Sequence, residues 1–195
     1  MAAAALLLTV GAPVRLIGQD SVPAGQGTLR RDDIAVRLTS DQVDIQVLPL
    51  DEQVIRFLAP DTYRSLSDLI RNRRSAVDSL AARAGVTRPT LVLVTFFGLV
   101  PQARFSPEDV NIASRGRLFR SVGVIPLSPR WSSYQLEARE QATAIYLFEE
   151  GISIREDLTV SYQTRSSDAW SRSVRALDQE RARVRARVQT GNPPN

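Results

Sequence analysis

The chain has 195 residues, with 25 basic residues that are all Arg, 21 acidic residues and neither His, Cys nor Lys. That inventory excludes imidazole general bases, thiolate nucleophiles, disulfides, thiolate or two-His metal sites, Schiff bases and the P-loop lysine. Ser, Tyr, Arg and carboxylates are left for chemistry, and a 43% hydrophobic content is enough to build one sizeable core.

Residues 2–14 (AAAALLLTVGAPV) form an apolar run of signal-peptide length, too short for a membrane-spanning helix. No basic residue precedes the run and no small-x-small cleavage site follows it before Arg15. Residues 1–19 are expected to be an export signal or a short N-terminal membrane anchor, the alternative being a buried strand or core helix. The Gly, Pro and polar content of residues 20–33 predicts a linker.

Residues 34–164 carry the pattern of a β domain. Ile34, Val36 and Leu38 alternate, as do Val43, Ile45 and Val47, then Ile55 and Phe57, which predicts half-buried strands. The period changes at Asp61, where Tyr63, Leu66, Ile70, Val77, Ala81 and Ala84 recur at helical spacing. This predicts one amphipathic helix over 61–84, started at Pro60 and Asp61, stopped by Gly85, with Arg71, Arg74 and Asp78 on its wet face. Residues 90–97 (TLVLVTFF) are apolar on both faces and predict a central strand. Further strands are predicted over 110–113, 118–125, 142–148 and 158–162, separated by turn sequences at Ser106, Ser114, Pro126 and Glu149.

About eight strands, frequent turns and one early helix predict a mainly-β fold: an immunoglobulin-like β-sandwich with an inserted long helix and a C-terminal Arg-rich helix. The alternative is an α+β open sheet with the helix across it.

The C-terminal part, 165–190, predicts an amphipathic basic helix with Trp170, Val174, Leu177, Arg181, Val184 and Val188 in a heptad-like seam. Residues 165–187 hold seven Arg against Asp168, Asp178 and Glu180, so the remaining 18 Arg face 18 acids and the excess charge lies in this helix. Residues 191–195 are expected to be a loose tail.

Two elements are candidate binding surfaces. On the C-terminal helix, Arg175, Arg181, Arg183, Arg185 and Arg187 suit docking on an acidic protein surface or anionic lipid. The competing reading is a solvated helix with Asp178–Arg181 and Glu180–Arg183 pairs. Nucleic acid is not expected, because no aromatics interleave with the Arg run. Trp170 is expected to anchor this helix to the β domain. In the loop over 126–136, Arg130, Trp131 and Tyr134 have the composition of an interface hot spot or of a glycan-stacking platform, the other reading being that Trp131 plugs the core. Acidic pairs at Glu149–Glu150 and Glu156–Asp157 could meet across a hairpin around Ca²⁺, or be solvated turns. No catalytic residue, cofactor or metal ligand is assigned; Gly25-Gln26-Gly27 lies outside any strand-to-helix turn, and no Gly-x-Ser-x-Gly elbow exists.

Residues 124–150 (VIPLSPRWSSYQLEAREQATAIYLFEE), a Pro-rich loop before a long apolar strand, are similar in style to exported, immunoglobulin-like accessory proteins of high-GC bacteria. The order of apolar start, linker, sandwich and Arg-rich end resembles an extrinsic accessory subunit of a bacterial membrane complex, in particular an additional subunit of a type-2 photosynthetic reaction-centre and light-harvesting supercomplex. The resemblance implies a non-enzymatic structural subunit, periplasmic or on the outer face of the inner membrane, with protein subunits of that complex as partners. No pigment ligand follows, since His is absent. The alternative expectation is a secreted glycan-type binding module.

Overall fold

Alternation of apolar and polar residues along short segments builds the main body. In the computed structural model, which describes residues 23–190, Val36 and Leu38 are buried while Arg37 and Thr39 are exposed along β1 (Val36–Thr39). The same rule places Val43, Ile45 and Val47 inside along β2 (Val43–Pro49). The remaining strands are β3 (Thr90–Gly98), β4 (Ala103–Arg104), β5 (Val110–Ser114), β6 (Arg117–Pro126), β7 (Gln135–Leu136), β8 (Gln141–Phe148), β9 (Leu158–Tyr162) and β10 (Arg165–Ser167).

Eight of them form one antiparallel sheet in the order β1-β2-β3-β8-β6-β5-β9-β10, and β4 pairs with β7 apart from it. The fold is therefore mainly β, as the strand pattern predicted. The long strand β6 turns the sheet over on itself. Its first half pairs with β5 and its second with β8, and a register shift between Ser121 and Gly123 bends the strand where it changes partner. The outer strands β1 and β10 thereby approach each other without completing a ladder, and Arg165 meets Asp41 across the gap at 3.4 Å. The result is a sandwich that almost closes into a barrel.

Both faces of β3 are covered: Val92, Leu93, Val94 and Phe96 are all buried. Val92, Ile112, Leu158 and Val160 pack between the two halves of the sheet, leaving only about 10 Å³ of free space. Each tryptophan closes one end of this interior. Trp170 is fully buried near Thr90 at the start of β3 and donates its indole N–H to the Ile154 carbonyl at 3.1 Å. It anchors the last helix to the β domain, as expected. Trp131 sits near Phe96, toward the other end of β3.

Four expectations are corrected. Residues 55–57 are not a strand: Asp51 accepts the Gln53 backbone N–H at 2.7 Å and caps the helical turn α2 (Glu52–Ile55), so Val54 and Ile55 are buried side by side. The stretch 61–84 is two helices, α3 (Pro60–Asn72) and α4 (Arg74–Ala84), broken at Arg73 with φ −102° and ψ 3°. Asn72 is a poor helix former, and Arg71, Arg73 and Arg74 crowd like charge at the break. The helix stop at Gly85 holds, with φ 69° and the Val86 N–H returning to Ala81 at 2.9 Å. Helix α4 lies against β6, where Gly123 leaves room for Leu80.

The expected linker is bound to the body from Gly25 onward. The Gly25 N–H donates to Arg56 O at 3.0 Å, the Leu29 N–H to Phe57 O at 3.3 Å, and the Ala59 N–H to Leu29 O at 2.9 Å. A Cβ on Gly27 would lie 1.6 Å from Phe57 O, so only glycine permits this approach. Ile34, expected in the first strand, instead ends the short helical turn α1 (Arg31–Ile34). The expected signal or anchor over 1–19, the first three linker residues and the tail 191–195 lie outside the described residues.

Candidate functional site

The first candidate surface is the outer face of helix α5 (Trp170–Thr190). Its inner face is Trp170, Ser173, Leu177, Glu180 and Val184, all buried. This differs from the expected seam at two positions, where Ser173 replaces Val174 and Glu180 replaces Arg181, because α5 packs against α1 and β9 rather than against a second long helix. Val188 is half exposed.

Glu180 is fully buried yet well supplied with donors. Its carboxylate accepts the Thr28 N–H at 2.9 Å, the Thr28 hydroxyl at 3.1 Å, Arg187 at 3.0 Å and Arg183 at 3.4 Å. Arg181 lies 5.3 Å over the Phe57 ring and 2.5 Å from Asp178. Arg181 and Arg187 are thus half-buried parts of the helix attachment, whereas Arg175, Arg183 and Arg185 are exposed, as is Arg172. The outer face is strongly cationic and the inner face fixes it.

The second surface surrounds the Trp131 end of the β domain. Trp131 is 4% exposed and packs against Phe105, Phe96 and Tyr146 at centroid distances of 5.3, 5.8 and 6.0 Å. It is a core plug and belongs to no exposed platform. Arg130 is exposed and pairs with Glu140 at 3.0 Å. Tyr134 alone of the aromatic pair reaches solvent, at 51% exposure, with its ring edge-on to Phe105 at 5.9 Å.

Tyr134 lines a cavity of about 540 Å³ together with Arg104, Ser106, Glu108, Ser133 and Gln135. Arg104 and Ser106 also line a second cavity, of about 250 Å³, together with the β1–β2 turn (Ser40, Asp41, Gln42) and the β9–β10 turn (Gln163, Thr164, Arg165). The walls are held by the Arg104 N–H on the Gln42 side-chain oxygen at 2.8 Å and the Ser106 N–H on the Tyr162 hydroxyl at 3.0 Å. Burial pushes the Tyr162 phenol above its ordinary value, only partly offset by that Ser106 bond, so it stays a neutral acceptor. Tyr146, whose hydroxyl donates to Pro107 O at 3.0 Å, is pushed up by burial as well.

The acidic pairs do not converge. Glu149 meets Arg117, and Glu156 meets Arg115, so each is satisfied by the β5–β6 hairpin rather than by a shared cation. Among the described residues no cluster of three or more acids could hold a metal ion.

Sequence reading missed Glu180 with its partner Thr28, and the cleft residues Gln42, Arg104, Ser106 and Gln163. One of two acids in an Arg-rich helix, three residues from Leu177 on the apolar side, was the available signal for Glu180. No protein family, curated protein or solved structure matches the chain.

Proposed function

We propose that this protein is a non-enzymatic accessory subunit that docks through the outer face of α5 on an acidic surface of a larger membrane-associated assembly, outside the cytoplasm. The observation that carries the reading is the division of α5 into two faces. Five buried side chains fix its inner face, and Arg172, Arg175, Arg183 and Arg185 are presented outward on a rigid helix. Rigid, pre-ordered cations lose little entropy on docking, which favours recognition of a fixed acidic surface.

The path of the chain supports a partner at a membrane. Thr28 is bonded to Glu180 in the middle of α5, so the chain enters the body on the flank of this helix. Val14, at the end of the apolar run, precedes Thr28 by 14 residues, a span of at most about 50 Å. An apolar start acting as an anchor would hold the Arg face near the bilayer. Among the described residues no helix is long and apolar enough to cross a membrane, so in this reading anchoring falls to residues 1–19. A photosynthetic reaction-centre and light-harvesting supercomplex is the assembly we propose first, on the sequence resemblance alone.

The test is charge reversal. Arg172→Glu with Arg175→Glu, in the full chain expressed in its own host, should abolish co-sedimentation with solubilised membrane complexes while leaving the melting temperature unchanged. Wild-type protein should also be released at about 1 M salt, where screening reaches about 3 Å. Co-sedimentation of the double variant at the wild-type level would overturn the proposal.

A further inference from the structure

The cleft at the Trp131 end plays no part in docking through α5. Tyr134 has φ 50° and ψ 26°, the left-handed region that a bulky aromatic residue adopts only under constraint. Glycine or asparagine would serve that turn at lower cost. The fold nevertheless holds Tyr134 there, through its carbonyl on the Phe105 N–H at 3.1 Å, and leaves the ring half exposed over a cavity. In the adjoining cavity Gln163 is also left-handed, with φ 51°.

The rest of the lining narrows the ligand. Ser106 and Gln135 in the larger cavity, with Thr164 and Gln163 in the adjoining one, supply neutral donors and acceptors in pairs, as the hydroxyls of a sugar require. Charge is sparse. Arg165 is engaged by Asp41, Glu108 lines the larger cavity, and Arg104, which lines both cavities, makes no ion pair among the described residues. One unmatched guanidinium suits one carboxylate, and Glu108 opposes a polyphosphate. The larger cavity, of about 540 Å³, falls within the usual size of small-ligand sites, about 300–1,000 Å³.

We infer that this cleft binds an acidic sugar, a uronate unit of a glycan, with the pyranose ring on Tyr134 and its carboxylate on Arg104. The aromatic face supports the apolar side of the ring, the hydroxyl and amide groups take its hydroxyls, and Arg104 selects the acid.

Titration of the full chain with tri-galacturonate by calorimetry tests this, with the methyl ester of the same trimer, galacturonate monomer and inorganic phosphate as comparison ligands. Expected are saturable binding of the trimer, a loss of about 10- to 100-fold for the ester, and no competition by phosphate at equal concentration. Binding of the monomer would identify one uronate unit as sufficient; trimer binding alone would extend the site along a chain. Arg104→Gln should remove the preference for acid over ester. Tyr134→Asn, which keeps the left-handed turn, should remove binding at an unchanged or raised melting temperature. No saturation at millimolar trimer, equal affinity for acid and ester, or full binding by Tyr134→Asn would overturn the inference.

Discussion

The Glu180 carboxylate and the Thr28 backbone N–H meet at 2.9 Å across 152 residues of sequence, and the same carboxylate oxygen takes the Thr28 hydroxyl at 3.1 Å and Arg187 at 3.0 Å. One buried acid therefore joins the entering chain to the final helix and holds two of its arginines. Glu180→Ala leaves the Thr28 N–H without its acceptor and Arg187, 29% exposed, without its counter-charge. The expected cost is about 2–3 kcal/mol in urea unfolding, moderated because both arginines keep some access to water. Glu180→Gln, which retains an acceptor, should cost less.

Gly27 makes the same junction possible from the other side. Gly27→Ala places a methyl group 1.6 Å from the Phe57 carbonyl oxygen, which is backbone and cannot swing away. The segment must then leave Phe57, breaking the Leu29–Phe57 hydrogen bond. A loss of about 3 kcal/mol or more is expected, together with faster proteolysis ahead of α1.

Trp131 and Tyr134 should separate cleanly although three residues apart. Trp131→Ala opens a hole among Phe96, Phe105 and Tyr146 and is expected to cost about 3–5 kcal/mol, seen as a large drop in thermal midpoint. Tyr134→Gly removes an exposed ring and relieves a left-handed backbone, so stability should hold or rise by up to about 1 kcal/mol.

These contrasts show where sequence reading reached and where it stopped. The runs Val92-Val94-Phe96 and Val43-Ile45-Val47 were legible because burial repeats along the chain itself, and Gly85 was legible because a left-handed helix stop has a local signature. Trp131 carried the same composition whether plug or platform; only Phe96 and Tyr146, brought in by β3 and β8, decide it. Glu180 looked like a surface partner of Arg183, three residues on. That pair exists at 3.4 Å, but the acid's burial comes from Thr28, whose approach no local pattern encodes. The cleft was illegible for the same reason: its walls are turns from four separate regions, each unremarkable alone.

Alkaline unfolding should follow the buried phenols. Tyr146 and Tyr162 are both pushed above the ordinary tyrosine value of about 10, chiefly by burial, so the folded protein keeps protons that the unfolded chain releases. Their contribution is complete below about pH 10 and is lost as pH rises further. Urea midpoints should be level from about pH 8 to 9.5 and fall beyond, with a shallower fall in Tyr146→Phe. On the acid side, the Gln46 amide and then Arg37 hold Asp32 below its ordinary value, so its contribution is present above about pH 4 and lost below. Exposure of that pair keeps this effect small.

The proposed role is tested most directly by the size of the native particle. Mildly solubilised membranes from the source cells, resolved on a sucrose gradient and probed for this chain, should show it with a large complex at low salt and released from it at about 1 M salt. Recovery of the chain at low salt as a free 195-residue monomer would contradict its role as a docked accessory subunit.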